Sequence, residues 1–109
     1  MVRPIPKELL IHSVVYEEHQ EKDRYGNEFK EPVTLSNVLV QPVSSIKRAD
    51  SGDQVAYNSL LFFDCVNSLP SSITFVKGSK VSFHGETMYI NKVNPIYTFS
   101  LHHYELELI

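Results

Sequence analysis

Apolar and polar residues alternate with a period of two along the last third of the chain. From residue 73 the sequence reads ITFVKGSKVSFHGETMYINKVNPIYTFSLHHYELELI, and glycines at positions 78 and 85 interrupt the alternation. It closes with Tyr104, Leu106 and Leu108, which are separated by two glutamates. A period of two that is broken by glycine turns predicts antiparallel strands, each with one face in a core.

The same pattern, followed along the whole chain, predicts about six strands, at residues 9–16, 33–41, 55–66, 81–83, 87–93 and 101–109. The run at 55–66 is apolar enough for either a buried helix or a buried strand, and its Phe and Val content favours a strand. Asn94-Pro95 is expected to end the fifth strand.

The second strand and the N-terminus carry two more specific expectations. Alternation within the second strand puts Leu35 and Leu39 on one face and Val38 and Val40 on the other. Ahead of the first strand, prolines at positions 4 and 6 predict an extended segment. A short helical turn over residues 7–10 is a weaker alternative at the start of the first strand.

Two polar segments separate the first three strands. Residues 17–32 are charged and contain a Tyr-Gly-Asn turn signal at 25–27. They form either a long hairpin loop or two strand extensions that meet near Gly26. Residues 43–54 show no periodicity, and their Ser-Gly-Asp triplet at 51–53 is typical of a loop.

Length and strand count together predict an all-β fold, a small single-domain β-barrel of about six antiparallel strands with two long loops. The 109 residues are enough for one domain with one modest core, spanning residues 1–109. Closure into a barrel removes exposed strand edges. Cys65 is the only cysteine, so neither an internal disulfide nor a cysteine-rich zinc site is expected.

Charge and hydropathy exclude several classes of protein. The net charge of −3 and the pI of about 5.9 argue against a general DNA-coating protein, which needs a basic face. The sequence contains no run of about 18 apolar residues, so no contact with a membrane through a span is expected. The N-terminal residues also lack an apolar stretch of signal-peptide length.

No residue pattern matches a catalytic motif, and no cofactor is expected. His102 and His103 are adjacent on a predicted strand, so their side chains should point to opposite faces and not chelate one metal ion. Cys65 has apolar neighbours and is expected to be a buried, unreactive thiol. Asp64 is expected to face outward, and the alternative is a buried carboxylate held by hydrogen bonds.

The two polar segments offer candidates for binding. Lys47 and Arg48 form the only adjacent basic pair, in a segment that also carries acidic residues. They predict either a contact with a phosphate backbone or an ordinary solvated loop. In residues 17–32, which are otherwise typical of a solvated loop, Tyr25 and Phe29 have no obvious local core, and exposed aromatic residues can anchor an interface.

Several short motifs that follow one another along the chain carry a family resemblance. They are RPIPKELLIH at 3–12, DRYG at 23–26, SLLFFD at 59–64, NSLP at 67–70, KVNP at 92–95 and LHHYE at 101–105. In number and order they resemble the minor capsid proteins of tailed bacteriophages and prophages of Gram-positive bacteria. None of the motifs is a catalytic signature, and together they cover nearly the whole chain.

The resemblance implies a structural virion protein, not an enzyme, whose most similar role is head completion, as a stopper in the head–tail connector. Such proteins form a ring with copies of themselves below the portal and adaptor, retain packaged DNA and dock the tail through its completion protein. They assemble in the host cytoplasm.

In stopper proteins a loop between the second and third main strands projects into the channel. By order along this chain the resemblance assigns that role to residues 43–54. The candidate gate residues are Ser44, Ser45, Ile46, Lys47, Arg48, Asp50, Ser51, Gly52 and Asp53. Of these, Lys47 and Arg48 are the most able to meet the phosphates of packaged DNA.

Two other classes of protein provide alternatives. A small β-barrel that binds nucleic acid could use aromatic residues as stacking groups, namely Tyr57, Phe62, Phe75 and Tyr89. The net negative charge counts against this alternative. A hydrolase would use Cys65 or Asp64 with a histidine, but no motif supplies nucleophile, base and oxyanion site together.

Overall fold

In the computed structural model, which describes residues 3–42 and 59–109, six antiparallel strands form a closed barrel. The strands are β1 (His12–Glu17), β2 (Val33–Pro42), β3 (Ser59–Asp64), β4 (Lys80–Phe83), β5 (Glu86–Thr98) and β6 (Ser100–Leu108). They pair in the order β1-β2-β3-β6-β5-β4, and β4 returns to β1. The predicted all-β barrel of about six antiparallel strands is thereby confirmed.

The barrel interior is filled by the alternating apolar positions that the sequence shows. Leu61 and Phe63 of β3 are buried, as are Leu106 and Leu108 of β6. Aromatic rings extend this core at one side, where Phe75 meets the rings of Tyr16, Phe63 and Tyr104 edge-on at centroid distances of 5.0–5.4 Å. Phe63 is therefore the member of the Phe62–Phe63 pair that enters the core, as strand alternation requires.

A bulge in β2 overturns the predicted faces of that strand. Asn37 is an extra residue between the pairs His12–Val38 and Ser13–Ser36, and it has a φ of +56°. The extra residue resets the alternation, so Leu35 lies on the same inner face as Val38. Asn tolerates the left-handed conformation better than most residues, which is why the bulge falls there.

β5 runs through Asn94-Pro95, so the expected break at this position was wrong. Ile109, which follows β6, exchanges both backbone hydrogen bonds with Tyr89 of β5 at 2.9 Å. Because backbone direction alternates along a strand, the N–H and C=O of Tyr104 then face β3 and not β5. Pro95 pairs with Tyr104, so β6 requires no N–H from it.

The polar segment 17–32 is the second of the two predicted alternatives, a pair of strand extensions. Backbone N–H groups of Lys30 and Gln20 donate across it to the carbonyls of Glu18 and Glu28, at 2.9 and 2.8 Å. The chain reverses at Gly26, which has a φ of +82°. We call residues 17–32 the acidic hairpin.

Towards the other end of the chain, β5 and β6 extend further than β4 and β3, the strands beside them. β4 pairs with β5 only as far as Tyr89, and among the described residues β5 has a partner only on its β6 side from Asn91 to Thr98. Phe99 joins the two strands with a φ of +65°. We call residues 94–102 the arm, because they extend beyond the barrel as a two-stranded ribbon.

The N-terminal part of the chain contains both the helical turn and the first strand that the sequence suggested. Residues 7–9 form a short 3-10 helix and the first strand begins three residues later, so the helical turn precedes the strand and does not replace it. The third strand is observed from Ser59, and residues 55–58 of its predicted range lie outside the described residues.

Candidate interaction surfaces

The tip of the acidic hairpin is a turn that is organised by one carboxylate. Asp23 Oδ1 accepts hydrogen bonds from the backbone N–H groups of Tyr25 at 2.8 Å and Asn27 at 3.0 Å. The N–H groups of Asn27 and Tyr25 hold the pKa of the Asp23 carboxyl below its usual range. The turn therefore keeps its shape at neutral pH and presents Tyr25, whose side chain is 73% exposed under the Arg24 guanidinium.

Phe29 has a different role from Tyr25, although both were candidate interface residues. Its ring lies 4.6 Å below the ammonium group of Lys80 and 5.8 Å from the His19 ring. Phe29 is half-buried and fastens the acidic hairpin to β4. Of the two aromatic residues, Tyr25 is the one that is available to a partner.

The tip of the arm carries Phe99, which is fully exposed and is the most exposed large apolar residue among those that the structure describes. Tyr97 of the arm is 67% exposed, and Val66, outside the arm, is 70% exposed. Residues 94–102 contain no Asp, Glu, Lys or Arg. Aromatic enrichment with a depletion of charge is typical of the buried centre of a protein interface. The sequence did not single out this tip, because residues 94–100 were expected to lie between the fifth and sixth strands.

A groove lies at the other end of the barrel. It has a volume of about 610 Å³ and is lined by Val40, Pro42, Ser59, Phe83, His84, Glu86, Thr87, Met88 and Ile109. The β4–β5 turn at His84-Gly85 forms one wall, with both residues at positive φ as a tight two-residue hairpin requires. The result is a concave, mostly apolar surface with Glu86 at its rim.

The two adjacent histidines touch each other, which alternation had excluded. His102 Nδ1 and His103 Nδ1 are 2.8 Å apart, because a register shift beside Ile96 and Tyr97 locally disturbs the alternation of β6. His102 Nε2 donates to the carbonyl of Arg3 at 2.7 Å, and His103 Nε2 lies 2.9 Å from Glu105 Oε2.

The described residues contain no group of three side chains that could hold a metal ion. The histidine pair instead connects the N-terminal segment to the base of the arm.

Asp64 is buried, so the expectation that it faces outward was wrong. Its carboxylate accepts hydrogen bonds from the backbone N–H groups of Ile5 at 3.0 Å, Val66 at 3.0 Å and Asn67 at 2.8 Å. Three N–H donors offset the cost of burying the charge. The sequence signal that was missed is the Asp at a strand end before a polar turn, a pattern typical of a side chain that caps its own turn.

Cys65, which follows Asp64, was expected to be buried, but it is only half-buried. Burial first, and then the negative charge of Asp64, raises the pKa of the Cys65 thiol above its usual value. A thiol with a raised pKa stays protonated at neutral pH and is a poor nucleophile. The Asp64 carboxylate is hydrogen-bonded to three backbone N–H groups and not to a histidine. The geometry of Asp64 and the raised pKa of Cys65 therefore do not favour the hydrolase alternative.

The other candidate residues do not come together. Phe75 belongs to the core, Phe62 lies half-buried near the His103 ring, and Tyr89 is exposed on β5, so these three do not form one stacking platform. Tyr57 and the candidate gate residues, Ser44, Ser45, Ile46, Lys47, Arg48, Asp50, Ser51, Gly52 and Asp53, lie outside the described residues. Pro42 and Ser59, at the two ends of that segment, are paired strand neighbours.

A closed barrel with two projecting hairpins is typical of a structural protein that works by assembly. A family model described as minor capsid protein matches residues 6–108, and the chain belongs to that family. It is thus a structural component of a phage virion. Neither the curated proteins nor the solved structures give a match. No helix among residues 3–42 and 59–109 is long and apolar enough to cross a membrane.

Proposed function

We propose that this minor capsid protein is a component of the head–tail connector. Copies of it form a ring below the portal and adaptor, complete the head, retain packaged DNA and give the tail completion protein a docking surface. Membership of the minor capsid family supports the proposal, because a minor capsid protein is a part of the virion.

The shape of the subunit supports a ring. A closed barrel is a rigid body whose strands are already paired, so its contacts with neighbours fall to hairpins and loops. The arm and the groove lie at the two ends of β5 and offer two different surfaces. Contacts between unlike surfaces of identical subunits close into a ring when the rotation permits.

The gate in this proposal is the connection between β2 and β3. β2 ends at Pro42 and β3 begins at Ser59, so the candidate gate residues fall in sequence between the second and third strands, as the loop of stopper proteins does. Lys47 and Arg48 are its residues most suited to DNA phosphate, and Asp50 and Asp53 weaken that attraction.

Imaging of assembled virions tests the position of the protein. In the neck, this chain should form a ring between the portal–adaptor assembly and the tail. A chain traced instead to the capsid shell, away from the neck, would exclude the connector role.

Shortening the β2–β3 connection tests the gate. Because Pro42 and Ser59 are paired, a turn of two to five residues can replace residues 43–58 without stretching the barrel. We expect heads that package DNA and then lose it, while the ring still forms. The matched control replaces residues 20–28 of the acidic hairpin by a similar turn and should retain DNA. Normal DNA retention in the first variant would leave the protein with a docking role only.

A further inference from the structure

We propose that Phe99 at the tip of the arm docks into the apolar groove of the next copy of this chain, an inference that rests on the proposed ring. Each subunit would then insert its arm into one neighbour and receive the arm of the other. The contact deepens the ring proposal by naming the two surfaces that meet.

The conformation of Phe99 is the first observation. Its φ of +65° is unfavourable for a bulky L-residue, and Gly or Asn would occupy the position more easily. Its side chain is also fully exposed, so no packing within the subunit offsets the unfavourable backbone. A costly residue that gains nothing inside its own subunit indicates a contact outside it.

The groove is the second observation, because it is a complementary surface on the same chain. It has a volume of about 610 Å³, with Val40, Phe83 and Met88 among its apolar walls, which is ample for a phenyl ring. β5 starts at the groove with Glu86 and ends at the arm with Thr98, and a strand of 13 residues spans roughly 40 Å. The arm therefore cannot fill the groove of its own subunit, whereas a head-to-tail contact can repeat from copy to copy.

Charge complementarity favours a second copy as the occupant. Arg3 lies beside the arm, with its carbonyl held by His102, whereas Glu86 lies at the rim of the groove. A chain that has a basic residue beside its arm and an acidic residue beside its groove is a suitable partner for a second copy of itself. The acidic hairpins, by contrast, would repel each other, because residues 17–32 contain six carboxylates and three basic residues.

The contact area explains why this docking needs a ring. Burial of two aromatic side chains removes roughly 300–500 Å² from water, whereas a stable complex buries about 800 Å² on each partner. One arm is therefore too small to hold a stable dimer, and the free protein should be a monomer in light scattering. In a ring on the adaptor each copy makes two such contacts at high effective concentration.

Disulfide trapping in assembled virion necks tests the contact. In a Cys65→Ser background that keeps Phe99, Ser100→Cys and Thr87→Cys place one thiol beside the arm tip and one at the groove. Since these positions are roughly 35 Å apart within one subunit, they cannot form an internal disulfide. Oxidised necks should give a ladder of two, three and more linked copies on a denaturing gel.

The controls separate this contact from other arrangements. Ser100→Cys alone can give no more than dimers, and Ser100→Cys with Tyr25→Cys should give no ladder beyond that. A link between Ser100→Cys and a different virion protein would assign the arm to another partner and overturn the proposal.

Replacement of Phe99 by Ala gives a second measurement. We expect a folded monomer with an unchanged melting temperature and about thirtyfold weaker incorporation into necks, which is the effect typical of losing an aromatic anchor. A groove variant, Thr87→Trp, should cause the same defect. If the necks contain the ring but no ladder forms and both variants incorporate normally, the arm contact is wrong and the ring stands. If the necks contain no ring, the proposed function fails with it.

Discussion

Phe63 in the barrel and Phe99 in the arm are the same type of residue in opposite environments. Phe63 is 2% exposed in the barrel core, and its ring meets that of Phe75 edge-on. Phe99 is fully exposed at a left-handed turn in the arm. Phe63 stabilises the barrel by packing in its core, whereas Phe99 has an unfavourable backbone conformation and no packing within the subunit. Residue type alone therefore does not tell which aromatic residues build the core, and burial and backbone conformation do.

The largest expected effect is at Phe63. Phe63→Ala should lower the free energy of unfolding by about 3–5 kcal/mol, because it leaves a cavity beside Leu61 and Phe75. Urea denaturation measures the loss. Phe62→Ala, at the half-buried neighbouring position, is the matched control and should cost clearly less. Equal losses would mean that the two faces of β3 are not as different as the core requires.

Asp64 marks the boundary between the barrel and its surface. Asp64→Ala removes the acceptor of three backbone N–H groups, and each buried donor left unpaired costs about 1–3 kcal/mol. Since water can reach some of them, we expect a total loss of about 2–4 kcal/mol. Hydrogen exchange should show faster exchange at the amides of Ile5, Val66 and Asn67. Asp23→Ala, on the exposed turn, should leave these three amides protected.

At Phe99 the sign of the effect should reverse. Phe99→Asn should stabilise the free subunit by about 0.5–1 kcal/mol, because Asn tolerates a positive φ better than Phe. Thermal unfolding measures the gain. Tyr97→Asn is the control in the same arm, and it should be neutral or destabilising because Tyr97 lies in a regular strand. A destabilised Phe99→Asn variant would show that Phe99 packs within the subunit after all.

The smallest effect concerns alkaline pH. Burial, first of all, raises the pKa of the Tyr16 hydroxyl above its usual value of 10.0. The unfolded chain then loses this proton before the folded one, so the stabilisation is complete below about pH 10 and disappears as pH rises through the folded pKa. Tyr16→Phe should flatten the fall in stability above pH 10, measured by urea midpoints. Tyr25→Phe, at an exposed tyrosine, should leave the slope unchanged.

Periodicity predicted the barrel well because most of its strands obey a strict alternation. The prediction failed where one residue broke the count: Asn37 reset the faces of β2, and the register shift near His102 brought two adjacent imidazoles together. Pro95 did not end β5, since its missing N–H is not needed by β6. Each of these depends on pairing between strands, which a single strand's sequence does not contain.

The interaction surfaces were less accessible to prediction. Tyr25 stood out because its segment is polar, whereas Phe99 lies between the predicted fifth and sixth strands, where no sequence pattern marks it. Only the pairing register shows that β5 and β6 extend there beyond β4 and β3. Asp64 was misjudged because its partners Ile5 and Asn67 come from a distant segment and a turn.

Among the described residues, the edge of β5 at Pro95 is unpaired, and this affects how separate subunits meet one another. An unpaired strand edge is a template on which other chains can add, which leads to fibres or amorphous aggregates. Pro95 removes one donor from this edge, and the exposed charge of Lys92 opposes close stacking there. The arm can therefore keep its aromatic tip exposed while its backbone remains a poor template for the addition of other chains.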